Sequence, residues 1–246
     1  MKINLLGAYI DSLTMEETVE RVAGFIRSGR PHRIVTMNPE FLYRAQFEDE
    51  LLEIAKRADL VTPDGEGIVW ACRVAGSPVP ERVAGIDLMA RLLERGNVEG
   101  WRVYLLGAAP GVAEEAAEKI RRNFPGLQVV GAHHGYFKDN EVNEVVKKIK
   151  DTKPDLIFVA LGAPKQEQWI DRRLEDTGAA AALGVGGSFD VFAGRARRAP
   201  LWVRRLHLEW LFRLLREPSR WRRQLVLPLF AWMVVKKYKL KRFRQD

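Results

Sequence analysis

Asp64 stands in Thr62-Pro63-Asp64-Gly65, where the short apolar run Leu60-Val61 breaks into a turn. A carboxylate at a strand end is placed to take a proton from a substrate hydroxyl. Turn chemistry accounts for Pro-Asp-Gly just as well, so the motif alone leaves both readings open. Thr36 and Asn38, in Thr36-Met37-Asn38-Pro39, either orient a sugar hydroxyl or acetamido group or simply finish their strand. Gly107, Gly162, Gly186 and Gly187 each follow an apolar run, in YLLGAAPG, FVALGAPKQE and AALGVGGSFD. Glycines there let backbone N–H groups approach a phosphate or sugar closely. None of the three is a complete G-x-G-x-x-G or P-loop, but three at strand ends favour a nucleotide or sugar-phosphate ligand. Asp190 closes the third of them. Lys165-Gln166-Glu167 opens a helix where an anion is welcome and offers three long side chains for gripping phosphate. Arg213, Arg216, Arg220 and Arg223 share one face if their helix continues through Pro218, an arginine ladder suited to phosphate oxygens.

Other chemistries lack their residues. His133-His134 has neither a Cys cluster nor an H-x-x-x-H partner, and no D-x-D ends a strand, so neither a metal nor any other cofactor is expected. Cys72, the only cysteine, lies in the apolar run IVWAC and reads as core rather than nucleophile.

The elements that must position these residues follow from periodicity. Residues 2–10 read as a strand or hairpin bending at Gly7, and Ser12 or Thr14 caps a helix that stops near Gly29. Strands are predicted at 33–36 and up to Pro63, and in the runs 101–111, 155–167 and 181–187. Amphipathic helices are predicted at 112–123, 140–150 and 165–174. Near-continuous apolar strands alternating with helices predict an α/β fold, a Rossmann-like parallel sheet covered on both faces. In such a sheet ligands bind beyond the carboxyl ends of the strands, so one cleft would hold Thr36, Asn38, Asp64, Gly107, Gly162 and Gly186.

Charge divides the 246 residues unevenly. Net charge is +8 overall, but residues 195–246 carry 16 Lys and Arg against 3 Asp and Glu, leaving residues 1–194 at −5. The expected organisation is therefore a catalytic core, 1–194, and a basic C-terminal appendage, 195–246. The appendage reads as two or three short helices broken at Pro218 and Pro228. Its run 225–235 is too short to span a bilayer but suits an interfacial segment, flanked by KKYKLKRFR. Because the Trp and Phe residues sit in apolar runs rather than between the charges, an anionic membrane surface is expected as partner and nucleic acid is not. The single cysteine and the early Asp11, which interrupts any signal-like segment, give the expectation of a cytoplasmic protein, peripheral on the inner face of the plasma membrane.

Taken together, TPDGEGIVWA, PERVAGIDLM, YLLGAAPGVAE, HHGYF, VALGAPKQEQWI, GVGGSFDVFAG and HLEWLFRLLREPSR resemble the WecG/TagA/CpsF glycosyltransferases, in order, from about residue 3 to residue 230. The resemblance implies an inverting transferase that moves a sugar from a UDP-sugar donor to an undecaprenyl-diphosphate-linked acceptor. It is nearest to members that add N-acetylmannosamine to lipid-linked N-acetylglucosamine for the wall teichoic acid linkage unit. It assigns the base to Asp64 and pocket roles to Thr36, Asn38, Arg82 and Gln166, and it places diphosphate-binding arginines at Arg213, Arg220 and Arg223. His207 departs from the family pattern, where glycine commonly precedes LEWL. UDP-N-acetylmannosaminuronic acid and UDP-glucose are alternative donors, and a membrane-associated nucleotide-binding protein without catalysis is an alternative class. Oligomeric state, a homo-oligomer included, is left open by the residues.

Overall fold

A computed structural model describes residues 1–206, 208–216, 221 and 225–242, without the side chains of Arg205, Arg213 and residues 239–242. β1 (Lys2–Leu5) and β2 (Ala8–Asp11) form an antiparallel hairpin. Leu6 and Gly7 turn it with φ of 53° and 92°, the left-handed pair that a two-residue hairpin demands. Thr14 then caps α1 (Met15–Ser28): its hydroxyl accepts from the Glu17 N–H while Glu17 reaches back to the Thr14 N–H. Gly29, left-handed, ends that helix.

The main sheet has six strands, β3 (His32–Met37), β4 (Leu60–Pro63), β5 (Arg102–Gly107), β6 (Gln128–His133), β7 (Leu156–Ala160) and β8 (Ala181–Gly184). Their order is β4-β3-β8-β7-β5-β6 and every pairing is parallel. Side chains alternate across it. Leu156, Phe158, Ala181 and Leu183 face the cluster under α1, α5 (Gly85–Glu99) and α6 (Val112–Asn123). Ile157, Val159 and Ala182 face α7 (Val142–Asp151) and α8 (Lys165–Thr177). The fold is thus Rossmann-like, as expected. A third cluster joins the β4 edge and the hairpin to α2 (Pro39–Arg44), α3 (Asp49–Arg57) and α4 (Glu66–Val74).

After the short α9 (Ser188–Phe192) come α10 (Leu201–Arg205), α11 (Glu209–Arg216) and α12 (Val226–Arg242). Pro228 does not break a helix. It lies in the first turn of α12, where its missing N–H has no intrahelical acceptor to lose. The run 225–235 is also not wholly turned outward. Phe230 and Val234 are 1% and 0% exposed within the third cluster, and the Leu6 N–H donates to the Tyr238 hydroxyl at 2.8 Å. Spacing of four along 230, 234 and 238 is the helical stripe that sequence reading had passed over in favour of the prolines. The charge boundary at residue 195 is therefore not a packing boundary: α12 lies on α2 and α4. Truncating Phe230→Ala should lower unfolding stability by about 3–5 kcal/mol in denaturant titration, the usual loss for a large buried aromatic. A change under about 1 kcal/mol would mean that α12 is not part of the folded core.

Candidate active site

A cavity of about 1340 Å³ opens beyond the carboxyl ends of the parallel strands. That exceeds the range of about 300–1,000 Å³ usual for one small ligand, and it leaves room for two substrates. Asp64 is held at its wall by two neighbours. Its N–H donates to the Met37 carbonyl at 2.8 Å, which continues the β3–β4 pairing one residue past the strands. The N–H of Gly85, first residue of α5, donates to its Oδ2 at 3.2 Å. A helix N-terminus favours a negative charge there. A Cβ on Gly85 would stand 3.5 Å from that oxygen and 3.4 Å from the Thr36 methyl, so the two side chains share one corner.

Thr36 is 4% exposed and its hydroxyl donates to the Gly184 carbonyl at 3.0 Å, pinning β3 to β8. Asn38 caps α2, accepting the Phe41 N–H at 2.9 Å, with Pro39 in the first helical position. Gln166 and Glu167, despite opening a helix at the cavity, do not reach out to grip an anion. Both are buried, and the Gln166 amide bridges the Gly186 N–H, accepted at 3.1 Å, and the Glu167 carboxyl, to which it donates at 2.8 Å. Burial pushes the Glu167 carboxyl up to about 7; the Gln166 bond offsets part of the rise and Glu40 adds to it. Lys165 alone of the three is exposed.

Charge gathers around the residues that flank Asp64 and Gly85. Arg82 lies 3.4 Å from Glu66 and 3.1 Å from Glu209 of α11. Arg198 clasps Asp87 with its two terminal guanidinium nitrogens, each at 2.6 Å. Desolvation would raise the Asp87 carboxyl, but the Arg198 hydrogen bonds and charge hold it below the usual carboxylate range. Arg198 also lies 3.6 Å from Glu209, so one acidic residue of the appendage meets two arginines. Glu209, Trp210 and Leu227 line the cavity, which makes the appendage one of its walls.

The sequence-predicted residues Thr36, Asn38, Asp64, Arg82, Gly162, Lys165, Gln166, Gly186, Gly187 and Asp190 all line this one cavity. Gly107 does not. Its φ is 130°, and a Cβ there would fall 2.5 Å from the Ala160 backbone, so glycine serves the packing of β5 on β7 while Ala108 takes the wall position. Arg220, Arg223 and His207 lie outside the described residues, as does the Arg213 side chain. Sequence reading missed Gly85 as the partner of Asp64, and it missed the Asp87–Arg198 clasp. The first was hidden in an unassigned helix start, and the second joins residues 111 apart. Cys72 is fully buried, which pushes its thiol up to about 11 and leaves it inert. Among the described residues no group of three or more His, Cys, Asp or Glu is placed to hold a metal ion.

Residues 3–245 match the model of the Glycosyl transferase WecG/TagA/CpsF family. A Bacillus spizizenii protein named N-acetylglucosaminyldiphosphoundecaprenol N-acetyl-beta-D-mannosaminyltransferase is 42% identical over 203 residues, covering 82% of this chain and 78% of that protein. A Staphylococcus aureus protein of the same name is 37% identical over 244 residues, covering 98% and 95%.

The Glu167 carboxyl makes a stability prediction. Its folded value lies above the ordinary 4.5, so the native state binds more protons between 4.5 and about 7 and stability falls as pH rises through that window. Relative to Glu167→Gln, the wild type should lose roughly 3 kcal/mol across it, read by denaturant titration at several pH values. Parallel pH profiles for the two proteins would refute it.

Proposed function

The chain belongs to the WecG/TagA/CpsF glycosyl transferase family, and from that premise we propose that it transfers N-acetylmannosamine from UDP-N-acetylmannosamine to undecaprenyl-diphosphate-linked N-acetylglucosamine. The names of the Bacillus and Staphylococcus relatives give this acceptor and this transferred group, the UDP donor comes from the family resemblance, and the product would serve the wall teichoic acid linkage unit. The observation that carries the reading is the placement of Asp64, held on the first N–H of α5 in a cavity large enough for donor and acceptor.

Inversion at the anomeric carbon needs one displacement. The acceptor hydroxyl forms the new C–O bond, its proton passes to the Asp64 carboxylate, and the bond to UDP breaks with its electron pair on the departing phosphate oxygen. That oxygen needs positive charge aimed at it as it leaves. Arg82 and Lys165 line the cavity for this role, and the family resemblance adds Arg213, Arg220 and Arg223 from the appendage. Backbone N–H groups around Gly162 and Gly187 would hold the diphosphate, with Gly186 shaping the loop while its own N–H stays on Gln166, and Thr36, Asn38 and Asp190 would contact the sugars.

A lipid-linked acceptor brings the site to a membrane. Among the described residues no helix is long and apolar enough to cross one. The appendage instead exposes Leu201, Trp202, Trp210, Leu229 and Trp232, with Lys236 4.8 Å from the Trp232 ring. Apolar and tryptophan side chains beside cations favour the headgroup boundary of an anionic leaflet. The face of α12 opposite Phe230 and Val234 is where that contact would form. Replacing Trp202 and Trp232 together by glutamate should weaken sedimentation with anionic vesicles by about tenfold or more. Unchanged binding would remove these residues from the contact.

The function itself is tested by UDP release from UDP-N-acetylmannosamine, with and without a short-chain lipid-diphosphate-N-acetylglucosamine. Wild type should release UDP only with acceptor. Asp64→Ala should lower kcat about 10²–10⁴-fold with UDP affinity kept. An equal rate in the variant would remove Asp64 as the base, and release from a different UDP-sugar alone would change the donor. No release from any UDP-sugar would overturn the transferase reading.

A further inference from the structure

Glu167 takes no part in the transfer step, yet it is 2% exposed, beside the site, where an acidic side chain is costly to bury. Its single hydrogen-bonded neighbour among the described side chains is Gln166, 3% exposed, whose Nε2 donates to Glu167 Oε1 at 2.8 Å. The orientation of that amide is fixed from two ends. Gly186 presents an N–H, which requires the amide oxygen, and Glu167 presents a carboxyl oxygen, which requires the amide nitrogen. Turning the amide over would set donor against donor at Gly186. Space is fixed as well: a Cβ on Gly184 would stand 2.5 Å from Gln166 Nε2, so the amide occupies the place of the missing side chain. What the amide holds is the loop after β8, where Gly186 sits at φ 53° on the cavity wall with Gly187.

Resting on the transferase reading above, we propose that Glu167 is a positioning residue. It orients the Gln166 amide and, through it, sets the Gly186–Gly187 loop for the nucleoside-diphosphate part of the donor. It touches no substrate atom. A carboxyl in this place can be exchanged for another acceptor of the same shape but not for a hydrocarbon, which would leave Gln166 Nε2 buried without an acceptor.

Calorimetric titration with UDP alone, together with donor KM and kcat, tests this on the full chain. Glu167→Leu should raise the UDP Kd and the donor KM by about tenfold while kcat moves less than about threefold. Glu167→Gln, which keeps an acceptor oxygen for Gln166, should restore both to near the wild-type values. In a Gln166→Leu background, Glu167→Leu should add less than about twofold, because a residue acting only through Gln166 has nothing left to orient. Gly184→Ala leaves Glu167 in place and displaces the amide directly, so it should reproduce the rise in KM even if Glu167→Leu fails to fold. Wild-type UDP affinity in Gly184→Ala or in folded Glu167→Leu overturns the proposal, and so do multiplying effects in the double variant. If wild type itself does not bind UDP, the transferase reading falls and this one with it; binding by wild type with unaffected variants defeats this one alone.

Discussion

Gly184 has no side chain, and three parts of the site meet in the room this leaves. Its carbonyl accepts the Thr36 hydroxyl from the neighbouring strand, and the space beside its Cα takes the Gln166 amide from α8. Two residues on, Gly186 donates to that same amide. Any larger residue in β8 at this point would push α8 away from the sheet or turn the amide out, and either change moves the glycine loop. The close approach of one helix start to one strand end is thus the constraint from which the cavity wall follows. It also explains why a glutamate is buried next to a polar cleft: the amide needs a second partner to have one orientation.

The charge division at residue 195 acquires a different meaning once the contacts are known. A core of net −5 beside a tail of +13 suggests simple attraction between two bodies. The observed pairs run both ways, with Arg198 of the tail on Asp87 of the core and Arg82 of the core on Glu209 of the tail. These side chains are mostly withdrawn from water, at 20% exposure for Arg198 and 13% for Glu209, so removing one partner leaves a poorly solvated charge behind. α11 is in this way registered against the cavity rather than merely held near it. Arg82 stands between Glu66 of the core and Glu209, on the cavity wall.

Local signals were legible in the sequence, though not always to the residue. The cap read as Ser12 or Thr14 is Thr14, the stop near Gly29 and the helix 112–123 are where short-range pattern puts them, and the runs 155–167 and 181–187 contain the strands 156–160 and 181–184. The start of α5 was not legible. α5 begins at Gly85 after Ala84, with no cap hydrogen bond to announce it, and so the donor to Asp64 went unseen. β6 escaped because it is an edge strand, half-exposed along Gly131–His133, and lacks the continuous apolar run that marks its neighbours. At the site, residue types identified the strand-end part of the cavity wall, but not the stretches around Tyr136 and Arg172, nor the direction in which side chains point. Lys165, Gln166 and Glu167 read alike as a polar first turn, and only packing against β8 separates one outward cation from two buried groups.

The division of labour in the site follows from which contacts are local. Asp64 is placed by Met37 and Gly85, on the sheet edge and a helix start that belong wholly to the core. Arg82 and Arg198 are held by pairs that cross between core and appendage, Arg82 on Glu209 and Arg198 on Asp87. A base must be fixed to within a fraction of an ångström of a small hydroxyl, and rigid secondary structure supplies that. An arginine side chain is long and bears its charge over a planar fork, so a cation such as Arg82 tolerates a less exact backbone position than a short carboxylate does. Apolar side chains are exposed on that same appendage, at Leu201, Trp202, Leu229 and Trp232, so the part of the chain that closes the cavity wall also carries the uncovered apolar surface.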